Sequence, residues 1–377
     1  MGSSPSRMSS GAPAPRLEVE CLKAYSAPLE GRRGLLRLDF NENTIGPSPR
    51  VVEALRAIPA DQIAVYPEYD GLQKAVVANL SNRDQGRPGL TQPLSPSQIG
   101  LFNGVDAAIH AIFHAYGDRG DRLLTTSPTF GYYTPCAQMQ GMEILAIPYE
   151  GSDFCFPLEA IRKRVLEQKP RLLLLCNPNN PTGTRLAPEQ IQQLAMAAPE
   201  TLVVVDELYE AFTGDSVLPQ ADFSVTPNLL VLRSLAKTAG LAGLRMGFAI
   251  GSADVVERIS RVTGPYDINS FAVTAAFAAL NDQAYVDAYV ADVLKARDWI
   301  RARLEASGLR YHLDGGNYLL IWPQQQPAVV EAALRKRGIL VRLMTGKPLI
   351  DGSLRVSIGS IEQMQQFWEN FVAIVSV

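Results

Sequence analysis

Histidine is scarce in this chain, with three in 377 residues, and cysteine is nearly as rare, with four. His110 and His114 lie four apart in AAIHAIFHA, a spacing that mimics a metal pair. No third ligand stands near them, so they read as packing residues and no metal is expected. Cys21, Cys136, Cys155 and Cys176 have no paired spacing, which points to reduced thiols and a cytoplasmic protein rather than a disulfide framework. A basic excess is also missing: 35 Lys and Arg against 38 Asp and Glu give a net charge of -3. That argues against nucleic acid as a partner, although a few arginines still suffice for a local anion pocket. No run approaches the length of a membrane span and no apolar signal core follows a basic start, so no membrane is expected. With 47% apolar and 19% charged residues, the composition is that of a globular enzyme long enough for two domains.

The richest stretch is SLAKTAGLAGLR. Ser234, Lys237 and Arg245 place a hydroxyl, an amine and a guanidinium in one segment with small residues between them. A lysine forms a Schiff base with an aldehyde, and a serine and an arginine bind a phosphate dianion. Alone, such spacing arises by chance and lysine is usually a solvated surface residue. Upstream, RLLLLC (171–176) opens into NPNNPTG (177–183), and TLVVV (201–205) ends at Asp206-Glu207-Leu208-Tyr209. Apolar runs bounded by turn residues suit parallel strands covered on both faces, and ligands bind beyond the carboxyl ends of such strands. Asn180, Asp206 and Tyr209 therefore fall where a site belongs. A carboxylate at Asp206 keeps a pyridine nitrogen protonated, while Asn180 and Tyr209 donate to a phenolate oxygen. The bland alternatives, a helix-capping acid and an Asn/Pro/Gly turn, hold for each segment alone but not for all in this order.

NPNNPTGT, VVVDELYEAF and RSLAKTAGLAGLRMGFAIG resemble the signature blocks of fold-type I pyridoxal-phosphate aminotransferases. LDFNENTIGPSP (38–49), VYPEYDG (65–71), FNGVDAAI (102–109), SPTFGYY (127–133), GPYDINSFA (264–272) and LRVSIGS (354–360) resemble the histidinol-phosphate aminotransferase branch. The resemblance implies an α/β fold with a mostly parallel central sheet sandwiched by helices, seven strands with one antiparallel, and a smaller α/β domain built from both termini. It makes Lys237 the Schiff-base lysine and proton shuttle, and Asp206 the partner of the ring nitrogen. Asn180 and Tyr209 would face the phenolate oxygen, and Phe130 would stack on the ring, with Tyr133 as the fallback. Ser234 and Arg245 would hold the cofactor phosphate, joined by the backbone N–H groups of Gly104, Val105 and Asp106 at a helix start. Tyr66 would reach the cofactor phosphate of a neighbouring subunit, so a homodimer with shared active sites is implied. Arg355 would clamp the substrate anion, helped by Arg342, Tyr25 and Asn180; a solvated edge-strand charge is the plainer reading of Arg342. The implied reaction is ping-pong exchange of an amino group between histidinol phosphate and 2-oxoglutarate, in histidine biosynthesis. A threonine-phosphate decarboxylase-like enzyme shares these blocks, and an aromatic-amino-acid aminotransferase is a further alternative because imidazole and phenyl pockets are similar in shape. A non-enzymatic regulator would need a DNA-binding module, and no basic helical region precedes residue 38.

Residues 1–17, rich in Ser, Pro, Gly and Ala, read as a disordered leader. Gly2 and Ser6 nominally fit a myristoylation pattern, but a flexible leader is the simpler reading. Residues 18–47 should form an N-terminal arm and part of the small domain, 48–268 the large cofactor-binding domain, and 269–377 a bridging helix and the C-terminal small domain. Ser48-Pro49 reads as a helix start with Val51, Val52, Leu55 and Ile58 as its apolar stripe. A helix is expected over 106–116, and strands over 121–126, 171–176, 202–206, 229–233 and 245–250. A long helix from Ser270 should break near Asn281-Asp282-Gln283. Short strands at 319–322, 340–342 and 354–358 and a closing helix from Glu362 to Val375 follow.

Overall fold

A computed structural model describes residues 13–22, 30–82 and 89–375. The large sheet contains β2 (Ile99–Asn103), β3 (Arg122–Ser127), β4 (Glu143–Pro148), β5 (Leu172–Cys176), β6 (Leu202–Asp206), β7 (Leu229–Ser234) and β8 (Met246–Gly251), following β1 (Leu36–Leu38), which lies elsewhere. Their order is β2-β8-β7-β6-β5-β3-β4, and β8 alone runs antiparallel to its neighbours. The sequence places this sheet in the middle of the molecule because β5 and β6 are buried at every position. Side chains alternate across a strand. Leu173, Leu175, Val203 and Val205 therefore pack with Ile191, Leu194 and Ala276 on one face. Leu172, Leu174, Leu202 and Val204 pack with Ile109, Ile112 and Phe113 of the helix Val105–Tyr116 on the other.

A second sheet joins both ends of the chain. Its order is β1-β11-β12-β10-β9, with β9 (Arg310–His312), β10 (Tyr318–Trp322), β11 (Ile339–Leu343) and β12 (Leu354–Ser357). The leading β1 lies parallel on β11, pairing Leu36 with Ile339. The segment 39–47 that follows thus leaves the small sheet and runs toward the large one. Asn269 caps the helix Ser270–Leu280 through the Ala272 N–H at 2.9 Å, and Asn281-Asp282 separates it from the 25-residue helix Gln283–Ser307. The helix Pro49–Arg56 starts at Ser48, as its cap and proline require. Only Val51 of the expected stripe is fully buried; Val52, Leu55 and Ile58 are half-buried, and Ile58 lies beyond the helix end. His110 and His114 meet ring edge to face at 4.4 Å on their helix. Among the described residues no helix is long and apolar enough to cross a membrane.

Candidate active site

The carboxyl ends of β5, β6 and β7 stand side by side, so the residues that follow them converge on one edge of the sheet. Asp206 closes β6 and is buried. Burial pushes its carboxyl up to about 6, against the pull of the Tyr133 hydroxyl, which donates to Oδ2 at 2.6 Å. The Leu208 N–H donates to Oδ1 at 3.4 Å. Tyr133, the fallback for the stacking ring, is fully buried with its hydroxyl committed to Asp206. It meets Phe130 edge to face at 5.5 Å and 78°. Phe130 itself is half-buried beside it.

Tyr209 is buried three residues after Asp206, with its hydroxyl in a fixed surround. Asn180 Nδ2 and Asn41 Nδ2 both donate to it at 3.2 Å. The orientation of each amide follows from its oxygen. Asn180 Oδ1 accepts from Arg355 Nη1 at 2.7 Å, and Asn41 Oδ1 accepts from Ser357 Oγ at 2.9 Å. With both lone pairs occupied, the phenol's proton is directed to a third group. Arg355 is buried and its Nη2 donates to the Asp39 carbonyl at 2.6 Å. Lys237 Nζ donates to the Phe40 carbonyl at 3.0 Å and lies 5.8 Å from the Tyr209 ring centre. Burial, then the positive charge of Arg355, brings the Lys237 amine down to about 8, with Glu42 and Asp106 pulling the other way.

The segment 39–42 therefore lines the candidate site, through the Asp39 and Phe40 carbonyls and the Asn41 amide, contacts that motif reading did not single out. Arg32 braces the segment by forked bonds to Asp39 at 2.6 and 3.1 Å and to Glu42 at 2.8 and 3.1 Å. Asn41 holds a left-handed φ of 55°, a conformation asparagine tolerates better than most side chains. The usable signal was LDFNENT itself: a buried polar run straight after a strand.

A second cluster lies where β2 ends, β8 begins and β7 ends, which the register brings level: Phe102 and Ser234 both oppose Gly247. Gly104 caps the helix Val105–Tyr116 at φ 77°. A Cβ there would sit 2.6 Å from Arg245 Nη2, and one on Gly247 would sit 2.6 Å from the Gly104 carbonyl carbon. Only glycines allow this close approach of guanidinium and backbone. Arg245 Nη2 bonds Asp106 Oδ2 at 2.7 Å. The Ser234 hydroxyl donates to the Met246 carbonyl at 3.1 Å and accepts from the Ala236 N–H at 3.0 Å. Val105 and Asp106 supply the first amides of the helix, whose dipole favours an anion.

Tyr66 stands apart from both clusters. It is 71% exposed and stacks on Tyr266 at 4.1 Å, close in sequence to the exposed Ile63 and Val65. Arg342 is half-buried on β11, opposite Arg355 and 5.5 Å from the Phe40 ring. The edge-strand reading of Arg342 is corrected, since β11 is enclosed by β1 and β12. Tyr25 lies outside the described residues.

A family model described as aminotransferase class I and II matches residues 33–371. The histidinol-phosphate aminotransferase of Symbiobacterium thermophilum is 33% identical over 363 residues, covering 94% of this chain and 96% of that protein. The histidinol-phosphate aminotransferase of Roseiflexus castenholzii is 35% identical over 366 residues, covering 92% and 94%. Among solved structures, the histidinol-phosphate aminotransferase of Sinorhizobium meliloti in complex with pyridoxal-5'-phosphate superposes with a TM-score of 0.83 at 23% identity, covering 96% and 97%. The L-threonine-O-3-phosphate decarboxylase of Porphyromonas gingivalis reaches 0.74 at 23% identity, covering 91% and 100%. At those identities the solved structures establish the shared fold.

Proposed function

The chain belongs to the class I and II aminotransferases, and from that premise we propose that it moves an amino group between histidinol phosphate and 2-oxoglutarate, in histidine biosynthesis. Its cofactor is pyridoxal 5'-phosphate. The residues fit that group: a half-buried amine at Lys237, a buried acid at Asp206, a directed hydroxyl at Tyr209, and a glycine-lined anion cradle at Gly104, Ser234 and Arg245. When bound, the cofactor supplies an aldehyde for amines and a protonated ring that withdraws electrons from the substrate carbon.

The protein's own groups do the rest. Lys237 Nζ would be the amine that holds the cofactor's aldehyde carbon, and an amine substrate would take its place there. At about 8 the free amine is close enough to neutrality to act as general base, and it would take the proton of the substrate carbon and return it to the carbon on the other side of the transferred nitrogen. Asp206 would hold the proton on the ring nitrogen, with Tyr133 keeping that carboxylate oriented. Tyr209 and Asn180 would face the phenolate oxygen, and Phe130 would cover the ring. Arg245, Ser234 and the amides of Val105 and Asp106 would hold the phosphate; the Gly104 N–H, expected to join them, donates to the Phe102 carbonyl at 2.8 Å. Arg355, with Arg342 beside it, binds the anionic end of the substrate and ties substrate binding to Asn180. The observation that carries this reading is the unbroken chain of bonds from Arg355 through Asn180 to Tyr209, with Lys237 over the Tyr209 ring.

The active unit is a cytoplasmic homodimer in this reading. Ile63, Val65, Tyr66, Tyr266 and Phe271 are exposed apolar residues around the loop that carries Tyr66, which supports a partner there. Purified enzyme should convert histidinol phosphate with 2-oxoglutarate and release glutamate. Turnover confined to phenylalanine, or loss of carbon dioxide from threonine phosphate without glutamate formation, would refute the substrate assignment. Mixing Tyr66→Phe with Lys237→Ala chains should restore activity above that of either variant alone, and no recovery would refute the shared site.

A further inference from the structure

The rim of the site gathers more positive charge than one carboxylate calls for. Arg355 and Arg342 oppose each other across β12 and β11, and Lys347 stands half-buried on the connection between those strands. Its Nζ lies 4.0 Å from where a Cβ on Gly131 would be, which sets the amine against the turn that carries Phe130. Burial, then the charges of Arg355 and Arg342, hold the Lys347 amine below its usual value. Among the described residues no carboxylate lies within ion-pair distance of Lys347 or Arg342. Like charges gathered this way oppose one another, and an entering anion relieves that repulsion.

The chemistry of the two substrate anions differs. A carboxylate has two oxygens and one charge, which the fork of a single guanidinium satisfies. A phosphate monoester has three terminal oxygens and roughly 1.5 to 2 negative charges at neutral pH. We propose that Lys347 is a substrate-binding residue that, with Arg342, takes the additional oxygen and charge of a phosphate monoester, while Arg355 serves phosphate and carboxylate alike. This rests on the reading above that one substrate is phosphorylated, and it makes the 344–353 connection the element that distinguishes that substrate from glutamate.

Holoenzyme carrying Lys347→Met or Lys347→Arg tests it against the unsubstituted enzyme, with histidinol phosphate, histidinol and glutamate as probes. In Lys347→Met, KM for histidinol phosphate, and Kd read from the cofactor absorbance, should rise roughly 10- to 100-fold, the loss of one charge-assisted hydrogen bond. KM for glutamate should change less than about fivefold. Histidinol, which has no phosphate, should bind both enzymes equally, and Lys347→Arg should recover most of the loss. The thermal midpoint should hold or rise, since a charge leaves a like-charged cluster. An active enzyme whose KM for histidinol phosphate ignores Lys347, or which loses as much on glutamate, overturns this proposal alone. An unsubstituted enzyme inert toward histidinol phosphate overturns the substrate reading beneath it.

Discussion

Replacing Tyr133 with phenylalanine removes one oxygen from the core and with it the 2.6 Å bond to Asp206. The carboxyl already stands at about 6 because burial outweighs that bond. A hydrogen bond to a buried charged group contributes about 1.5–3 kcal/mol, which is roughly one to two pKa units. Asp206 should therefore move into the range of about 7–8 and become largely neutral at pH 7 in the apoprotein. A neutral acid holds no proton on a ring nitrogen, so cofactor affinity should fall, and the pH at which it falls off should climb by about one to two units. The sign of the stability effect follows from the same shift. The folded-state value lies above the ordinary carboxylate value, so ionised Asp206 costs stability above about 6, and the cost is relieved as pH drops toward 4. The variant enlarges this cost, so its deficit should be greatest near pH 8 and shrink toward pH 5. Equilibrium dialysis of the cofactor and urea denaturation of the apoprotein across pH 5–8 measure both effects. Cofactor affinity with an unmoved pH dependence, together with a deficit flat in pH, would refute the reasoning.

Gly104→Ala sets a Cβ 2.6 Å from Arg245 Nη2 at φ 77°. Strain of about 1–3 kcal/mol should appear as a roughly 5- to 150-fold weaker cofactor Kd, read by fluorescence titration; unchanged affinity would place the phosphate elsewhere. Asn41→Ala releases the Tyr209 hydroxyl and the Ser357 hydroxyl, costing about 1–3 kcal/mol in denaturant unfolding. A concurrent shift in the bound-cofactor spectrum is expected, and a variant with native stability and spectrum would count against a role for Asn41. Arg233 bonds the fully buried Glu207 at 3.0 Å, and Arg233→Met should cost about 3–5 kcal/mol by leaving that acid uncompensated. Calorimetry checks it, and a loss below 1 kcal/mol would show that Ser216 and the Val217 N–H suffice for Glu207.

The central strands were legible because burial on both faces leaves an unbroken apolar signal: LLLLC and LVVVD are buried throughout. Their ends then located Asn180, Asp206 and Tyr209 without any tertiary information. The strands that escaped pattern reading are those with weaker signals. β4 pairs only with β3 and is largely half-exposed, and β1 and β9 are three residues long at the margins of the small sheet. β2 is interrupted by Gly100, whose missing Cβ leaves room for the Phe102 ring at 2.8 Å. Asn41 could not be found by spacing, because it meets Tyr209 across 168 residues and Ser357 across 316. The direction of the Tyr133 hydroxyl depends likewise on a helix packing against the end of a strand 73 residues on. Residue types announced the chemistry; partners distant in the chain set which atom each type presents.

The most direct measurement is borohydride reduction of the enzyme loaded with pyridoxal phosphate, followed by peptide mass spectrometry. One phosphopyridoxyl group per chain should be fixed on the peptide containing Lys237, with Lys237→Ala unlabelled but folded. A label on another lysine, or none on the active enzyme, would contradict the account.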